Sequence, residues 1–304
     1  MPKVKMIFNP EADRGRTGRI ENDLKHLADE LGGADWIGTD YRGHAVQIAE
    51  QAGREGFDPV VAVGGDGTVH EVVNGLMRLD AERRPRLGIV PIGSGNDFAG
   101  GIGVRSNPLQ ALRSVFSSNR AMPFDVGFIR GDQGGLEYWV NVVGIGFDAA
   151  VNLQSRNVAW VRGFLMYLLA VIRVIIQNYD APRMEIQLDD QTFEKELLMF
   201  TVGNGTREGG GFITTPAARF DDGVLDFATV AKVSRLMMFR LIPEVMRGTH
   251  GRFKAVTIGR LRHLRLKADR ALPIHVDGET YATYEADVRG LEVGLVPAGL
   301  RLVL

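Results

Sequence analysis

Apolar positions along this chain follow two periods, and the change between them falls near residue 124. Before it, short apolar runs at 4–8, 36–38, 60–63 and 87–91 have the length of strands buried on both faces. Between these runs, at 18–31, 44–56, 69–79 and 108–117, apolar residues recur every three or four positions, the spacing that gives a helix one apolar face. Strand and helix in alternation predict a doubly wound α/β domain. From Phe124 the period drops to two, in segments divided by Gly and Asp at 124–129, 136–143, 183–188, 196–202, 224–230, 264–268 and 274–276. That half is expected to be mainly antiparallel β. Val158 to Ile176 is nearly continuous apolar sequence, but Arg162 and Arg173 leave only ten uncharged residues between them. A membrane span needs about 20. The two arginines are about three helical turns apart and share one face of an amphipathic helix, either packed on its own sheet or walling a lipid-entry groove.

Candidate chemistry sits where two of the strands end. Residues 60–75 read Val-Val-Ala-Val-Gly-Gly-Asp-Gly-Thr-Val-His-Glu-Val-Val-Asn-Gly, so an apolar strand stops at a glycine turn and a helical pattern resumes at Val69, Val72, Val73 and Leu76. Gly64, Gly65 and Gly67 let the backbone approach a ligand, and the N–H groups at the following helix start converge on an anion such as phosphate. Asp66 would repel that anion unless it holds a divalent cation or meets a proton donor, which points to metal-assisted phosphate chemistry. Alone, the turn is also ordinary loop punctuation. Residues 87–99 repeat the design, with Gly93, Ser94, Gly95, Asn96 and Asp97 after an apolar strand. Two such ends in one parallel sheet face the same edge, where open α/β sheets bind ligands. There is no Gly-Lys pair, which excludes a P-loop, and no GxGxxG at the first strand, which disfavours a standard dinucleotide fold.

GGDGT at 64–68, followed by His70-Glu71-Val72-Val73-Asn74-Gly75 and by GSGNDFA at 93–99, resembles the diacylglycerol kinase catalytic domain shared by bacterial lipid kinases, diacylglycerol kinases and sphingosine or ceramide kinases. The likeness continues through Asn9-Pro10, Thr39, Gly43-His44-Ala45, Asn141 to Asp148, Gly203-Asn204-Gly205, Asp221 to Asp226 and Val276-Asp277-Gly278-Glu279. It implies an NAD kinase/diacylglycerol kinase-like α/β domain at 1–124 plus 292–304, and a β-sandwich at 125–291 that takes the lipid, with both substrates in the cleft between. By the same resemblance Asn9, Thr39, Gly64, Gly65, Asp66, Gly67, Thr68, Glu71, Gly93, Ser94 and Asn96 line the ATP site. Asp66 and Asp97 are the candidates for organising a catalytic Mg2+, and Glu279 is the base that takes the proton of the lipid hydroxyl. Asp277-Gly278 also reads as a hairpin turn, which would present Glu279. Asp221, Asp226 and the carbonyl of Val224 would hold a second, structural Mg2+; three carboxylates in six residues otherwise suit a solvated turn.

Composition adds bounds rather than chemistry. The 304 residues contain no cysteine, so disulfides and thiolate metal sites are excluded, and the formal net charge of −1 gives no global argument for nucleic acid. The apolar part of the first ten residues is too short for a signal peptide, so a cytoplasmic location is expected. The first loop departs from the resembling family in being longer and basic, and Arg14 and Arg16 would clamp phosphate or balance Glu11 and Asp13. Residues 247–270 hold eight Lys and Arg against Asp269 and follow the apolar stretch at 236–242, which suits either a transient peripheral contact with anionic membrane or the solvated face of a strand. Aromatic residues are too scarce there for nucleic acid.

The sequence therefore predicts an ATP- and Mg2+-dependent lipid kinase acting on diacylglycerol or a related lipid alcohol. The alternatives are an NAD kinase-like enzyme, whose family carries GGDGT but lacks the GSGND element, and a nucleotide-binding regulator without kinase activity. No motif names the acceptor head group, and a homodimer is allowed by resemblance only.

Overall fold

A computed structural model describes residues 3–15, 18–104, 106–118, 120–156, 163–177 and 180–303, with the side chains of Arg14 and Arg19 outside the description. The chain divides into two compact units, residues 1–126 with 297–304, and residues 127–296.

The first unit is built on parallel strands. In chain order its elements are β1 (Lys5–Phe8), α1 (Gly18–Glu30), β2 (Asp35–Gly38), α2 (His44–Arg54), β3 (Val60–Gly64), α3 (Asp66–Leu76), β4 (Leu87–Pro91), α4 (Asp97–Gly101) and α5 (Pro108–Ser117). β1 lies between β2 and β3, β4 flanks β3, and all these pairings are parallel. The burial of β1, β3 and β4 at every position reflects helices on both faces. On one face α1 and α5 seal Met6, Phe8, Val61, Val63 and Val90 with Leu24, Leu27 and Leu112. α2 and α3 pack against each other, so closely that a Cβ at Gly75 would lie 2.3 Å from the carbonyl oxygen of Val46. The expected helix over 69–79 begins earlier, at Asp66. Gly65 takes the extended N-cap position, so Asp66, Gly67 and Thr68 form the first helical turn rather than the loop before it.

β5 (Ala121–Gly131) leads from the first unit into the second, which continues with β6 (Leu136–Trp139), β7 (Val142–Gly146), α6 (Phe147–Ser155), α7 (Gly163–Gln177), β8 (Arg183–Leu188), β9 (Gln191–Gly203), β10 (Leu225–Ala231), α8 (Arg235–Met246), β11 (Val256–Leu261), β12 (His263–Ala268), β13 (Ile274–Val276), β14 (Glu279–Ala282) and β15 (Gly290–Val303). β15 returns to the first unit, where Leu302 pairs in parallel with Leu87 of β4, whereas the pairings among β7 to β14 are antiparallel and β9 belongs to two layers. The first half of β9 pairs with β8, and the second half runs between β7 and β10. Side chains from both layers, among them Trp139, Ile186, Phe200, Leu225, Leu264 and Val276, form one buried core, the sandwich that the period-two pattern predicts. A second cluster joins α6, α7 and α8 through Val151, Val171, Val174, Met238 and Leu241. Arg162 lies outside the described residues, and α7 buries its Ala170, Val171, Val174 and Ile175.

One expected strand is two. The run 136–143 breaks at Val140 and Asn141, because the Asp277 carboxylate takes the N–H groups of Val140, Asn141 and Val142 at 3.0, 2.8 and 3.1 Å. Those donors are lost to any neighbouring strand. No helix among the described residues is long and apolar enough to cross a membrane.

Candidate active site

In the first unit the two glycine turns meet. β3 and β4 are adjacent and parallel, with Gly64 opposite Pro91, so both turns emerge at the same sheet edge. A Cβ built on Gly93 would stand 2.5 Å from Cα of Gly65, and one on Gly65 would stand 3.2 Å from Cα of Gly93. Only glycine permits that approach. Asn96, in the left-handed region at φ 54°, fixes the second turn from inside: its Oδ1 accepts from the N–H of Gly93 at 3.1 Å and its Nδ2 donates to the Gly93 carbonyl at 2.7 Å. Ser94 and Gly95 are left exposed at its tip.

Asp66 connects the turns. Its Oδ2 accepts from the Asp97 N–H and its Oδ1 from the Phe98 N–H, both at 3.1 Å, so it caps the short helix α4 from the neighbouring loop. A Cβ at Gly95 would fall 3.0 Å from Asp66 Oδ2 and 3.9 Å from Asp97 Oδ2. The two carboxylates thus overlook one spot above a residue with no side chain. Each carboxylate oxygen can take a further partner beyond a backbone N–H, which is the chemistry a hard cation requires. Asn9 donates from Nδ2 to Thr68 Oγ1 at 3.0 Å, tying the end of β1 to the first turn of α3. Thr39 is half-buried after β2, its N–H on the Phe8 carbonyl at 2.9 Å. Glu71 faces another way: its oxygens accept from the N–H groups of Gly43 at 2.8 Å and Ala45 at 3.1 Å, so it caps α2 and steadies the Gly43-His44-Ala45 turn. Arg16 and the Arg14 side chain lie outside the description.

Glu279 belongs to the second unit. β13 and β14 pair with Val276 opposite Glu279, and the intervening Asp277 and Gly278 have φ 51° and 83°, a two-residue hairpin turn with both central residues left-handed. The Gly278 carbonyl accepts from Asn152 Nδ2 at 2.8 Å, and Arg156 lies 3.4 Å from Glu279 Oε2. The hairpin is therefore anchored to α6 on one side and, through Asp277, to the gap between β6 and β7 on the other.

The candidate structural-cation residues differ in setting. Asp221 is exposed and 3.3 Å from Arg219, whereas Asp226, on β10, is buried. Asp226 Oδ2 makes no hydrogen bond, and Arg260 Nε is 3.7 Å away. Burial pushes the Asp226 carboxyl above its ordinary pKa, with Asp222 adding to the effect and Arg260 opposing it. A buried carboxylate oxygen without a hydrogen bond fits a cation ligand.

A charged cluster in the same unit was not singled out from the sequence. Asp148 on α6, Glu208 and His275 on β13 bring their ligand atoms within 4.8 Å of one another, with His275 Nε2 at 3.6 Å from Asp148 and 3.3 Å from Glu208. Thr201 donates its hydroxyl to Asp148 at 2.7 Å. Burial works against the imidazolium, but the Asp148 and Glu208 carboxylates overcome it and raise His275 to about 10. Burial first, then Asp148, pushes Glu208 up to about 7. The grouping works as an internal ion triad. His275 stands two residues before the hairpin turn, but its partners come from distant segments, so no local spacing signals the triad.

Comparison with known proteins agrees with this architecture. Residues 3–129 match the family model described as the diacylglycerol kinase catalytic domain, and residues 141–304 match the YegS C-terminal NAD kinase beta sandwich-like domain. The chain is 32% identical over 268 residues to a probable lipid kinase YegS-like of Chromohalobacter salexigens, spanning 88% of this chain and 81% of that one. It is 29% identical over 293 residues to a diacylglycerol kinase of Bacillus subtilis, spanning 92% and 90%. A crystal structure of a diacylglycerol kinase from Bacillus anthracis superposes with a TM-score of 0.73 over 99% of this chain and 96% of that one, at 21% identity, a likeness of fold. With both family models met in order and most of the chain aligned to such relatives, the protein belongs to the diacylglycerol kinase family of lipid kinases.

Proposed function

We propose that the protein transfers the γ-phosphoryl group of ATP to the hydroxyl of a lipid alcohol, diacylglycerol or a related glycerolipid, with Mg2+ as cofactor. The observation that carries this reading is the meeting of the two glycine turns beneath Asp66 and Asp97. With no side chain at Gly65, Gly93 or Gly95, main chain rather than side chains forms this surface, and that suits phosphate oxygens. Asp66 and Asp97 would hold Mg2+, which neutralises charge on the transferring group when bound. Asn9 and Thr68 fix the edge of this cradle, Thr39 and Ser94 offer hydroxyls, and Glu71 acts by holding the turn before α2. The first unit, approximated by 1–124 plus 292–304, takes the nucleotide, and 125–291 takes the lipid.

Glu279 would accept the proton of the acceptor hydroxyl as oxygen attacks phosphorus and ADP leaves. The hairpin holds its main chain in place through Asn152 and Asp277. Asp226 with Asp221 and the Val224 carbonyl would hold a second, structural cation. A lipid acceptor implies transient contact with a membrane surface.

Purified protein incubated with labelled ATP, Mg2+ and a lipid panel, beside NAD and no-acceptor controls, tests the reading. Label is expected in lipid. Label in NAD alone, or none anywhere while ATP still binds, would reject it.

A further inference from the structure

Helix α8 presents an unusual outer side. At about 100° per residue, positions 235, 236, 239, 240, 243, 246 and 247 fall within one sector of roughly 140°. These are the positions of 235–247 that the fold leaves exposed. Leu236, Phe239, Pro243 and Met246 form a stripe along it, with Leu236 80% exposed. Arg235 borders the stripe on one side, and Arg240 and Arg247 border it on the other. No carboxylate enters the sector: Glu244, the acidic residue of α8, points inward and is held by Thr249 and Arg252.

This exposure does not come from a missing core. Met238 and Leu241, on the opposite side, pack with Val171 and Val174 of α7. Arg235 Nε also donates to the Ile175 carbonyl at 3.0 Å, setting the start of α8 beside the end of α7, where Ile176 is 59% exposed. The helix is anchored from within and apolar without. Scattered exposed leucines are ordinary, but an apolar stripe flanked by Arg235 on one side and by Arg240 and Arg247 on the other, with no acid in the sector, matches a helix lying in the interface of an anionic bilayer. The basic residues of β12 and of the turn after it differ in kind. Arg265 and Lys267 alternate with buried Leu264 and Leu266, Arg265 is 3.6 Å from Glu292, and Arg270 pairs with Asp180 and Asp269. That strand face is solvated and partly neutralised, so α8 rather than the basic stretch as a whole carries the surface.

We propose that the outer face of α8, with Ile176, is the docking surface for an anionic lipid bilayer. Leu236, Phe239 and Met246 insert at the acyl boundary while Arg235, Arg240 and Arg247 meet lipid phosphates. The proposal deepens the lipid-kinase reading, on which it rests for its biological sense.

Co-sedimentation with vesicles tests it, using phosphatidylcholine alone and phosphatidylcholine with about 30% phosphatidylglycerol. The wild-type protein is expected to bind the anionic vesicles and to be released by salt. Leu236→Asp/Phe239→Asp and, separately, Arg240→Glu/Arg247→Glu are each expected to weaken partitioning by about tenfold or more, with unchanged circular dichroism and melting. No wild-type binding, equal binding to neutral vesicles, or variants that bind like wild type would overturn the proposal. So would a lipid-free dimer that Leu236→Asp/Phe239→Asp dissolves, because the face would then belong to a second copy. Turnover on a short-chain diacylglycerol dispersed as monomers separates the two readings: both variants should match wild type. Failure of the wild type to phosphorylate any lipid sinks the kinase reading and leaves the vesicle result standing.

Discussion

Glu279 and Gly93 show how single residues divide the labour of the proposed reaction. Glu279→Gln keeps size and hydrogen bonding but cannot accept a proton, so turnover should fall by ~10^2- to 10^4-fold while ATP affinity, measured by calorimetry, stays at the wild-type value. Turnover within twofold of wild type, about 0.4 kcal/mol of barrier, would remove Glu279 from the role. Gly93→Ala should act on the other substrate, because its Cβ would stand 2.5 Å from backbone at Gly65. ATP binding should weaken by roughly tenfold or more as the turns are forced apart, with lipid affinity spared. The ion triad makes a third prediction at this scale. The folded-state values of Glu208, about 7, and His275, about 10, both lie above the unfolded ones, so the native state binds these protons more tightly. Their contributions are complete below the unfolded pKa and fade as pH rises, for Glu208 between about 4.5 and 7 and for His275 between about 6.5 and 10. Relative to Glu208→Gln, the wild-type protein should lose on the order of 2 kcal/mol of unfolding free energy between pH 5 and pH 7. Denaturant titrations at each pH would read that difference, and parallel curves would contradict it.

At the scale of elements, the hydrophobic period located most strands and several helices, and two of the missed strands share a cause. β11 and β14 are short and only partly buried, so neither carries a strong period. The split between β6 and β7 arises from Asp277, which arrives from more than 130 residues away and takes three consecutive backbone donors. Asp277→Ala would leave those N–H groups unpaired inside the fold. A loss of about 3 kcal/mol or more is expected by chemical denaturation, with Asp277→Asn losing less because the amide oxygen still accepts. Equal stability of the alanine variant would show that solvent replaces the carboxylate.

Across the whole molecule, each of the two units has its own core, and the proposed function gives each its own ligand. Mg2+ with a non-hydrolysable ATP analogue should slow amide exchange at 64–68 and 93–97 in the first unit, and chelation of divalent cation should speed exchange at 221–226 in the second. Hydrogen-exchange mass spectrometry reads both in one experiment. Protection confined to the second unit would move the nucleotide away from the glycine turns.

The sequence by itself determined the α/β and antiparallel halves, the two glycine turns and the family, because backbone period and glycine requirement are properties of neighbouring residues. Tertiary structure decided the rest. It turned Asp66 toward the start of α4 and Glu71 toward α2, left Asp226 buried with an oxygen free of hydrogen bonds, and gathered Asp148, Glu208 and His275 into one charged cluster. It also set which side of α8 meets solvent. Each of these depends on partners far apart along the chain, and their proximity follows from packing rather than from any local pattern.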